Sequence, residues 1–420
     1  MGDEDDKVPL LKQTFHDFDN NFDQLENISC SVGNFYTHCD DRNQKGSKTL
    51  VSVFVVVFDI RAGNILEWAL PNDYNLSGIE FKAMTSGSHK VQTDFVYFKW
   101  NQLYGLACFE NMSVNIAEER GARMKSVGIL SISYASLHQH KSFLKNQVRF
   151  LLEHTDCYDN LINYYEEEKG ILLPSYNVNI SRPLVSVMET RHPEECFSEF
   201  VKFFEDKIFV LWKFALLKKR ILFFSSPPIG NVCHRVYSTN CLVAHSMHSI
   251  ENPISQPLFY VNIADIETLQ DEMFYIACTT EKIFESKTHL YDLYIDNHNL
   301  RVSNPTLKQL LNSNNSDKIK YNELCKIRTL YKASVNENCE NNGQEVWFTG
   351  YFLSLNNLLF DTLMEVSKTS TKLWTRNHMK LVGLHPVYDY EFLSELIKIY
   401  GIDIHLCIEN PFCPSLSCCH

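Results

Sequence analysis

A helix that leads almost directly into a buried strand is the feature that most constrains this fold. Residues 209–230 read FVLWKFALLKKRILFFSSPPIG, in which an apolar helical run ends in Lys218-Lys219-Arg220 and an apolar strand pattern, residues 221–224, follows at once. The SSPP segment stops the strand, because proline cannot donate to a sheet ladder. A helix followed by a fully apolar strand predicts an α/β core unit.

The end of such a strand is where nucleotide-binding and hydrolytic folds carry their glycines or their nucleophile. Here it carries serines and prolines, and the chain contains no GxGxxG, GxxxxGK[ST], GxSxG or HExxH motif. These missing motifs argue against a nucleotide-hydrolysing enzyme, a Rossmann enzyme, an esterase or a zinc protease. The pattern indicates recognition of another protein, and no catalytic residue, cofactor or metal site is predicted.

The charge balance limits the classes of partner that we expect, and the cysteines and the N-terminus indicate the cellular compartment. The chain has 39 Lys and Arg against 51 Asp and Glu, a formal net charge of −12, which disfavours nucleic acid as a partner. Its 14 cysteines are scattered and include no CxxC pair, so buried reduced thiols are expected rather than a zinc site or disulfides. Because the N-terminus lacks a signal-peptide pattern and no apolar run reaches about 18 residues, we expect a cytoplasmic protein.

The first half of the chain reads as strands followed by helices, an α+β layout. A hairpin that turns at residues 61–64 precedes a short helix, a second hairpin about residues 100–102, another strand and a helix pair at residues 135–169. An acidic tail, residues 1–48, comes first. It carries apolar residues at steps of four and three, which predict an amphipathic helix: Leu11, Phe15, Phe18, Phe22 and Leu25.

The second half reads differently. After a predicted linker at residues 171–192, strands alternate with helices through residues 193–304. A long helix at residues 193–217 is expected beside a mostly parallel sheet, since parallel strands need crossover connections. Residues 305–414 read as helical, and residues 415–420 form a short tail.

The order of these three parts resembles the tripartite DENN module, and several segments carry a closer likeness. WKFALLKKRILFFSSPPIG, FYVNIADIETL, YIACTTEKIFESK, YDLYIDN, SGSHKVQTDFVYF, YGLACFENM and ERGARMKSVGILS are similar to the LCHN branch of the DENN proteins. The resemblance spans about residues 51–414. It implies a longin-like lobe at residues 49–170, a flavodoxin-like α/β central lobe at residues 193–304 and a helical part at residues 305–414. DENN proteins are exchange factors for Rab GTPases, so the resemblance also implies a role in membrane trafficking.

An exchange factor needs no bond-making active site. It binds the GTPase in a conformation whose nucleotide and Mg²⁺ contacts are broken, so it acts through differential binding alone. Its important residues should lie on an interface and include aromatic or arginine anchors. Three segments are candidates for the Rab interface: Ser88, His89 and Lys90 in a small-residue loop, Arg120, Arg123 and Lys125 at the start of a strand, and Lys218 and Lys219 at a helix end.

Each candidate segment also has a simple structural explanation. The loop at residues 86–90 is an ordinary turn in which Gly87 takes a positive φ, and a charged strand start is commonly just solvated. The basic run at residues 218–220 complements the helix dipole, or contacts the partner or an acidic membrane. Arg61, at a hairpin turn, would serve as an arginine finger in a GTPase-activating protein, although a solvated turn residue is the simpler explanation.

The tail contains one short motif. Asp6, Leu10 and Leu11 fit an acidic dileucine pattern, which predicts binding to a clathrin adaptor. The sequence as a whole predicts a cytoplasmic DENN protein that binds a GDP-loaded Rab, promotes GDP release and associates peripherally with vesicle membranes. The alternative is a non-catalytic DENN scaffold that binds a small GTPase or a trafficking partner without exchange activity. Both functions need the same fold and a similar surface.

Overall fold

The computed structural model describes most of the chain, namely residues 48–115, 121–170, 196–247, 257–334 and 342–408. The predicted tail helix, the dileucine motif, Arg120 and the predicted linker lie outside these residues. The chain divides into two compact units. The larger unit comprises residues 48–313 and 321–357, and the described part of the smaller unit comprises residues 314–320 and 358–408.

Among the described residues, the larger unit is built on a sheet of ten strands. In chain order these are Leu50–Asp59 (β1), Gly63–Leu70 (β2), Thr93–Trp100 (β3), Leu103–Ser113 (β4), Ala122–Ser131 (β5), Ile221–Phe224 (β6), Phe259–Tyr260 (β7), Ile276–Thr279 (β8), Leu293–Asp296 (β9) and Asn299–Val302 (β10). Their order across the sheet is β10-β9-β6-β8-β7-β3-β4-β5-β1-β2. Strands β1 to β5 pair antiparallel, whereas β7, β8, β6 and β9 pair parallel, as predicted for the second half.

Helices pack on this sheet. The helix that precedes β6 is buried on every side, which explains why its sequence is apolar apart from Lys213 and has no polar face. No helix among the described residues combines the length and the apolarity needed to cross a membrane. The α-helices of the larger unit are Glu80–Ala83 (α1), Leu137–Glu153 (α2), Asp159–Glu168 (α3), Phe197–Phe204 (α4), Ile208–Leu216 (α5), Gly230–Cys241 (α6) and Ile266–Asp271 (α7).

Short 3₁₀ helices connect several elements, and one of them interrupts a predicted α-helix. The single helix predicted at residues 193–217 is wrong: α4 and α5 are separated by the 3₁₀ turn Glu205–Lys207. Glu205 has φ 51°, a left-handed conformation that interrupts a right-handed helix. Another 3₁₀ helix, Lys282–Ser286, follows β8. The other 3₁₀ helices are Ser88–Lys90, Ile263–Asp265 and Pro305–Leu311.

The antiparallel and parallel halves of the sheet meet at a short junction between β3 and β7. Phe98 pairs with Phe259, and the N–H of Lys99 donates to the Leu258 carbonyl at 3.2 Å. Phe259 has φ 56°, which costs about 1–3 kcal/mol for a residue other than glycine. Tyr134 stacks on its ring at 4.7 Å between centroids, and such packing offsets part of that cost. The two parts that the sequence predicts as separate lobes therefore share one sheet.

The smaller unit is mainly helical. Two long helices, Asn315–Ser334 (α8) and Asn342–Lys368 (α9), contribute residues to both units. Leu373–Thr375 (β11) pairs in parallel with His405–Cys407 (β12); neither strand is predicted by the sequence. Between these strands lie Arg376–Leu381 (α10) and Tyr390–Ile399 (α11).

Candidate functional site

Strands of both halves of the sheet begin or end along one side of it. Strands β6, β7 and β8 end at this edge, and because β3 runs antiparallel to β7, β3 begins there and β4 ends there. We call it the carboxyl edge, and we call the opposite edge, where β6 and β8 begin, the amino edge. Ligand sites of open α/β sheets lie at the carboxyl ends of the parallel strands. The carboxyl edge is therefore the favoured position for a binding surface.

The loop at residues 85–90 lies against the SSPP segment at the carboxyl edge. Gly87 has φ 84°, and a Cβ built on it would lie 3.5 Å from Cγ of Pro227. The N–H of Ser86 donates to the Tyr260 hydroxyl at 3.4 Å. This loop of the antiparallel half is therefore fixed beside the ends of β6 and β7.

Three predicted interface residues lie in this loop. Ser88, His89 and Lys90 form a 3₁₀ turn in which Ser88 is buried while His89 and Lys90 are exposed. Asn111 on β4 donates from Nδ2 to the His89 carbonyl at 3.3 Å. The imidazole and the ammonium are thus presented from a fixed backbone at the carboxyl edge.

The candidates on β5 have partners inside the fold. Lys125 is buried, and its ammonium lies 2.7 and 2.5 Å from the two carboxylate oxygens of Glu67. Arg123 donates from Nη1 to the Leu152 carbonyl near the end of α2, at 2.7 Å, where a cation complements the helix dipole. The assignment of Arg120, Arg123 and Lys125 to the Rab interface stays a prediction.

Lys218 and Lys219 lie at the amino edge, directly before β6. The N–H of Lys218 donates to the Ala215 carbonyl at 3.0 Å, and the N–H of Lys219 donates to the Phe214 carbonyl at 3.1 Å. With φ 49° at Lys218, these two bonds form a Schellman motif that ends α5. The predicted interface residues therefore divide between the two edges of the sheet.

Arg61 is exposed in the turn between β1 and β2. The Asp59 carboxylate accepts the N–H groups of Arg61 and Ala62, each at 2.7 Å, and closes the turn. These backbone bonds, the one from Ala62 first, lower the pKa of Asp59. Arg61 as an arginine finger stays a prediction.

Exposed apolar side chains lie on adjoining loops at the carboxyl edge. Phe81 on α1 is 48% exposed, Ile263 after β7 is 53% exposed and Ile283 after β8 is 47% exposed. We call these three residues the apolar trio. Single exposed apolar residues are ordinary on a protein surface, but three on neighbouring loops provide the kind of anchor that a protein partner buries.

A largely buried ion pair fixes the loops that carry the trio. Lys82 Nζ lies 2.6 Å from Asp265 Oδ2 and donates to the Tyr260 carbonyl at 3.2 Å. Asn262, which caps the 3₁₀ turn after β7, donates from Nδ2 to the Phe81 carbonyl at 3.0 Å. These bonds hold α1 of the antiparallel half against the turn after β7 of the parallel half.

Burial shifts the pKa values of the ionisable groups beneath the trio. It lowers the pKa of Lys82, and the neighbouring Asp265 carboxylate opposes that change. Burial raises the pKa of Glu281, which the bond from the Ile263 N–H opposes. Among the residues that the structure describes, no group of three or more His, Cys, Asp and Glu could hold a metal ion. The geometry supports a rigid recognition surface.

Asp94 forms a second link across the sheet at this edge. Its carboxylate accepts the N–H groups of Ile229 and Gly230 at 2.7 and 3.1 Å, at the start of α6. Burial raises the pKa of Asp94 to about 6, against the effect of these two bonds. A Cβ on Gly230 would lie 2.8 Å from the Phe95 carbonyl oxygen, so the close approach of α6 to β3 requires glycine.

The sequence predicts the loop at residues 86–90 but not the apolar trio or the Lys82–Asp265 pair. One sequence pattern does indicate the turn after β7: Asn262 and Asp265 are three residues apart, which is the spacing of a capping box. The exposure of Phe81 and Ile263 has no sequence signal, because an apolar residue in a short turn is more often buried.

Comparison with known proteins matches this chain to one family model and to several relatives of the same name. The family model described as DENN domain-containing protein 11 matches residues 53–307. The protein of that name from Rattus norvegicus is 49% identical over 380 residues, which cover 87% of this chain and 83% of the relative. The proteins of the same name from Xenopus laevis and Danio rerio are 47% and 46% identical over 382 and 381 residues, with 87% of this chain and 87% and 78% of the relative covered.

Proposed function

Because the chain belongs to the DENN domain-containing protein 11 family, we propose that it binds a GDP-loaded Rab GTPase and promotes release of GDP. DENN-domain proteins are generally exchange factors of this kind. The observation that carries the proposal is the apolar trio at the carboxyl edge, contributed by both halves of the sheet. We assign the Rab-binding surface to the trio together with His89 and Lys90.

The proposed mechanism is differential binding. The switch segments of a GTPase are held in order by the nucleotide and Mg²⁺. A surface that binds those segments more tightly when they have left the nucleotide must, by linkage, weaken nucleotide binding by the same factor. The Lys82–Asp265 pair and the Asn262 bond to Phe81 hold the surface in place before binding, so little free energy is used to order it.

The finer assignments belong to the same proposal. We place the chain in the LCHN branch, with a longin-like lobe at residues 49–170, a flavodoxin-like central lobe at residues 193–304 and a helical part at residues 305–414. We propose a function in membrane trafficking, with peripheral membrane association. A clathrin adaptor would bind the tail through Asp6, Leu10 and Leu11.

Release of fluorescent GDP from a panel of Rab GTPases tests the proposal. We expect the rate to rise with the concentration of this protein for at least one Rab, and the protein itself to bind neither GDP nor GTP. A flat response across the panel, together with measurable binding to a Rab, would reject exchange activity and favour the scaffold. A flat response without Rab binding would reject both exchange activity and a Rab-binding scaffold, and would leave only a scaffold for another GTPase or a trafficking partner.

A further inference from the structure

The loop after α10 in the smaller unit presents exposed apolar side chains from a firmly held backbone. His385 Nδ1 accepts the N–H groups of Val387 and Tyr388 at 3.2 Å each, and the Asp389 carboxylate accepts the N–H of His385 at 2.7 Å. Tyr388 is nevertheless 63% exposed, and Val387 and Tyr390 are exposed beside it. Rigid aromatic side chains presented in this way are typical of protein-binding surfaces.

A buried lysine holds the same loop from the interior. Lys320 Nζ donates to the Gly383 carbonyl at 2.9 Å and lies 3.1 Å from Asp317 Oδ1, and Asn314 Nδ2 donates to Asp389 Oδ1 at 2.9 Å. Both members of the Lys320–Asp317 pair are buried. The loop is therefore ordered without a partner, and covering its apolar side chains would remove apolar area from water at little entropic cost.

The surface around this loop is basic. Residues 366–388 contain four lysine and arginine residues, of which Lys372 pairs with Asp403 at 2.5 Å, and no aspartate or glutamate, in a chain of net charge −12. Arg376 and Lys380 are exposed on α10, with the exposed Leu381 next to them, and the first carboxylate exposed beyond the loop is that of Glu391. We call the following residues the basic loop surface: Arg376, Lys380, Leu381, Val387 and Tyr388.

The N-terminal residues of the chain are acidic and partly apolar, and so are complementary in composition to the basic loop surface. Residues 1–26 contain eight aspartate and glutamate residues and two lysines, a net charge of −6. Residues 10–26 also carry the five apolar residues at helical spacing. We propose that residues 10–26 dock on the basic loop surface as an amphipathic helix. Such a helix is marginal in water by itself, and docking would cover its apolar stripe and place its carboxylates beside cations.

The tether makes this docking feasible. Residues 27–47, which join residues 10–26 to the described part of the chain, extend at most about 70 Å. A covalent link of about 20 residues is typically equivalent to an effective concentration in the millimolar range. If the free peptide binds with a Kd of about 100 µM, the same segment within the chain would therefore be docked about ten times as often as undocked. The docking needs no Rab and stands apart from the proposed exchange activity.

A peptide of residues 8–28, carrying a fluorophore, tests the proposal against the chain that lacks residues 1–45. We expect saturable binding with a Kd of about 100 µM or tighter, weakened by salt because opposite charges are involved. Tyr388→Asp and Lys380→Glu should each weaken binding at least about fivefold. The peptide with Phe18→Asp and Phe22→Asp should not bind. Because this peptide is more acidic, binding through charge alone would instead make it bind more tightly.

A charge exchange gives the sharper test. The peptide with Asp19→Lys and Asp23→Lys should bind the Lys380→Glu variant better than it binds the unmodified surface. In the full-length protein, amide exchange at residues 376–391 should be about tenfold slower than in the chain lacking residues 1–45. Tyr388 and Lys380 are exposed, and an unchanged urea midpoint in their variants would show that the fold is intact.

Three results would overturn the proposal. One is a peptide that does not bind the shortened chain. The second is binding that neither Tyr388→Asp nor Lys380→Glu affects. The third is binding of phosphatidylserine vesicles through Tyr388 with equal affinity in the full and shortened chains, since the surface would then be a membrane contact that the tail does not cover.

Discussion

The carboxyl edge and the basic loop surface display exposed apolar side chains by the same means. In each region a buried lysine pairs with an aspartate and donates to a backbone carbonyl in or next to the loop that displays the apolar side chains. The pairs are Lys82 with Asp265 and Lys320 with Asp317. The surroundings differ. The apolar trio lies among charges of both signs, such as Lys282 and Glu281, whereas the basic loop surface carries cations alone. The shared device gives rigidity, and the two surfaces differ in the charges that surround their apolar side chains.

The first way to sharpen this comparison is to remove each buried lysine. Lys320→Met should lower the free energy of unfolding by about 3–5 kcal/mol, because it leaves Asp317 charged and fully buried. Lys82→Met should lower it by about 2 kcal/mol, because Asp265 is partly exposed to water. Urea unfolding of both variants, with amide exchange to locate the opening, measures the difference. Equal losses would mean that burial of the aspartate does not control the effect.

The second test concerns the trio. The double change Phe81→Asp/Ile263→Asp should lower kcat/KM for GDP release at least about 100-fold, since each interface anchor is worth about 2 kcal/mol or more. Ile162→Asp is the matched control, because Ile162 is an exposed isoleucine on α3, which contributes no residue to the trio. Full exchange activity in a folded double variant would remove the trio from the Rab-binding surface.

A third test uses Asp94, the carboxylate that joins β3 to the start of α6 and whose pKa is raised by burial. Its folded pKa of about 6 exceeds the ordinary value of about 3.9. Between these values the folded state binds more protons, so this group's contribution to stability is fully present below about pH 4 and is lost as the pH rises through about 6. Relative to Asp94→Asn, the wild-type protein should gain about 2–3 kcal/mol when the pH falls from 7 to 4.

Urea unfolding of the wild-type protein and Asp94→Asn at several pH values between 4 and 7 measures this gain. A difference between the two proteins that does not change with pH would show that Asp94 ionises normally in the folded state.

The smallest expected effect compares one glycine from each region. Gly87 and Gly383 have φ 84° and 67°, a conformation that costs a residue with a side chain about 1–2 kcal/mol. A Cβ on Gly87 makes only ordinary contact with Pro227, so backbone strain alone should decide the result. Gly87→Ala and Gly383→Ala should each lower the free energy of unfolding by about 1 kcal/mol, measured by urea unfolding. A neutral Gly87→Ala would show that the loop at the carboxyl edge adapts.

Much of the fold could be predicted from local patterns. The two hairpins, β5 and the helix pair α2 and α3 follow from alternation and helical periodicity, which are properties of neighbouring residues. The break at Glu205 could not be predicted, because the apolar stripe continues through it and tertiary packing overrides the local preference. The junction of Phe98 with Phe259 could not be predicted either, because no sequence signal marks the pairing of two such distant residues.

The candidate site was predicted only in part, for a related reason. Lys125 looks like a surface charge in the sequence, yet it is buried because Glu67, two strands away across β1, supplies its counter-ion. Lys82 and Asp265 are separated by 183 residues. Such pairs arise from the arrangement of strands, so the sequence could predict the segment SGSHK and not the ion pair beneath the apolar trio.

The junction between β3 and β7 has a consequence for synthesis of the chain. The antiparallel strands β1 to β5 lie within the first 131 residues and form local hairpins, which fold quickly. Phe259, however, follows its partner Phe98 by about 160 residues, which a ribosome takes roughly 10–30 s to add. During that time β3 is an open edge with free hydrogen-bonding groups, the kind of edge on which nascent chains aggregate. Demand for chaperones during translation should therefore fall when β7 leaves the ribosome.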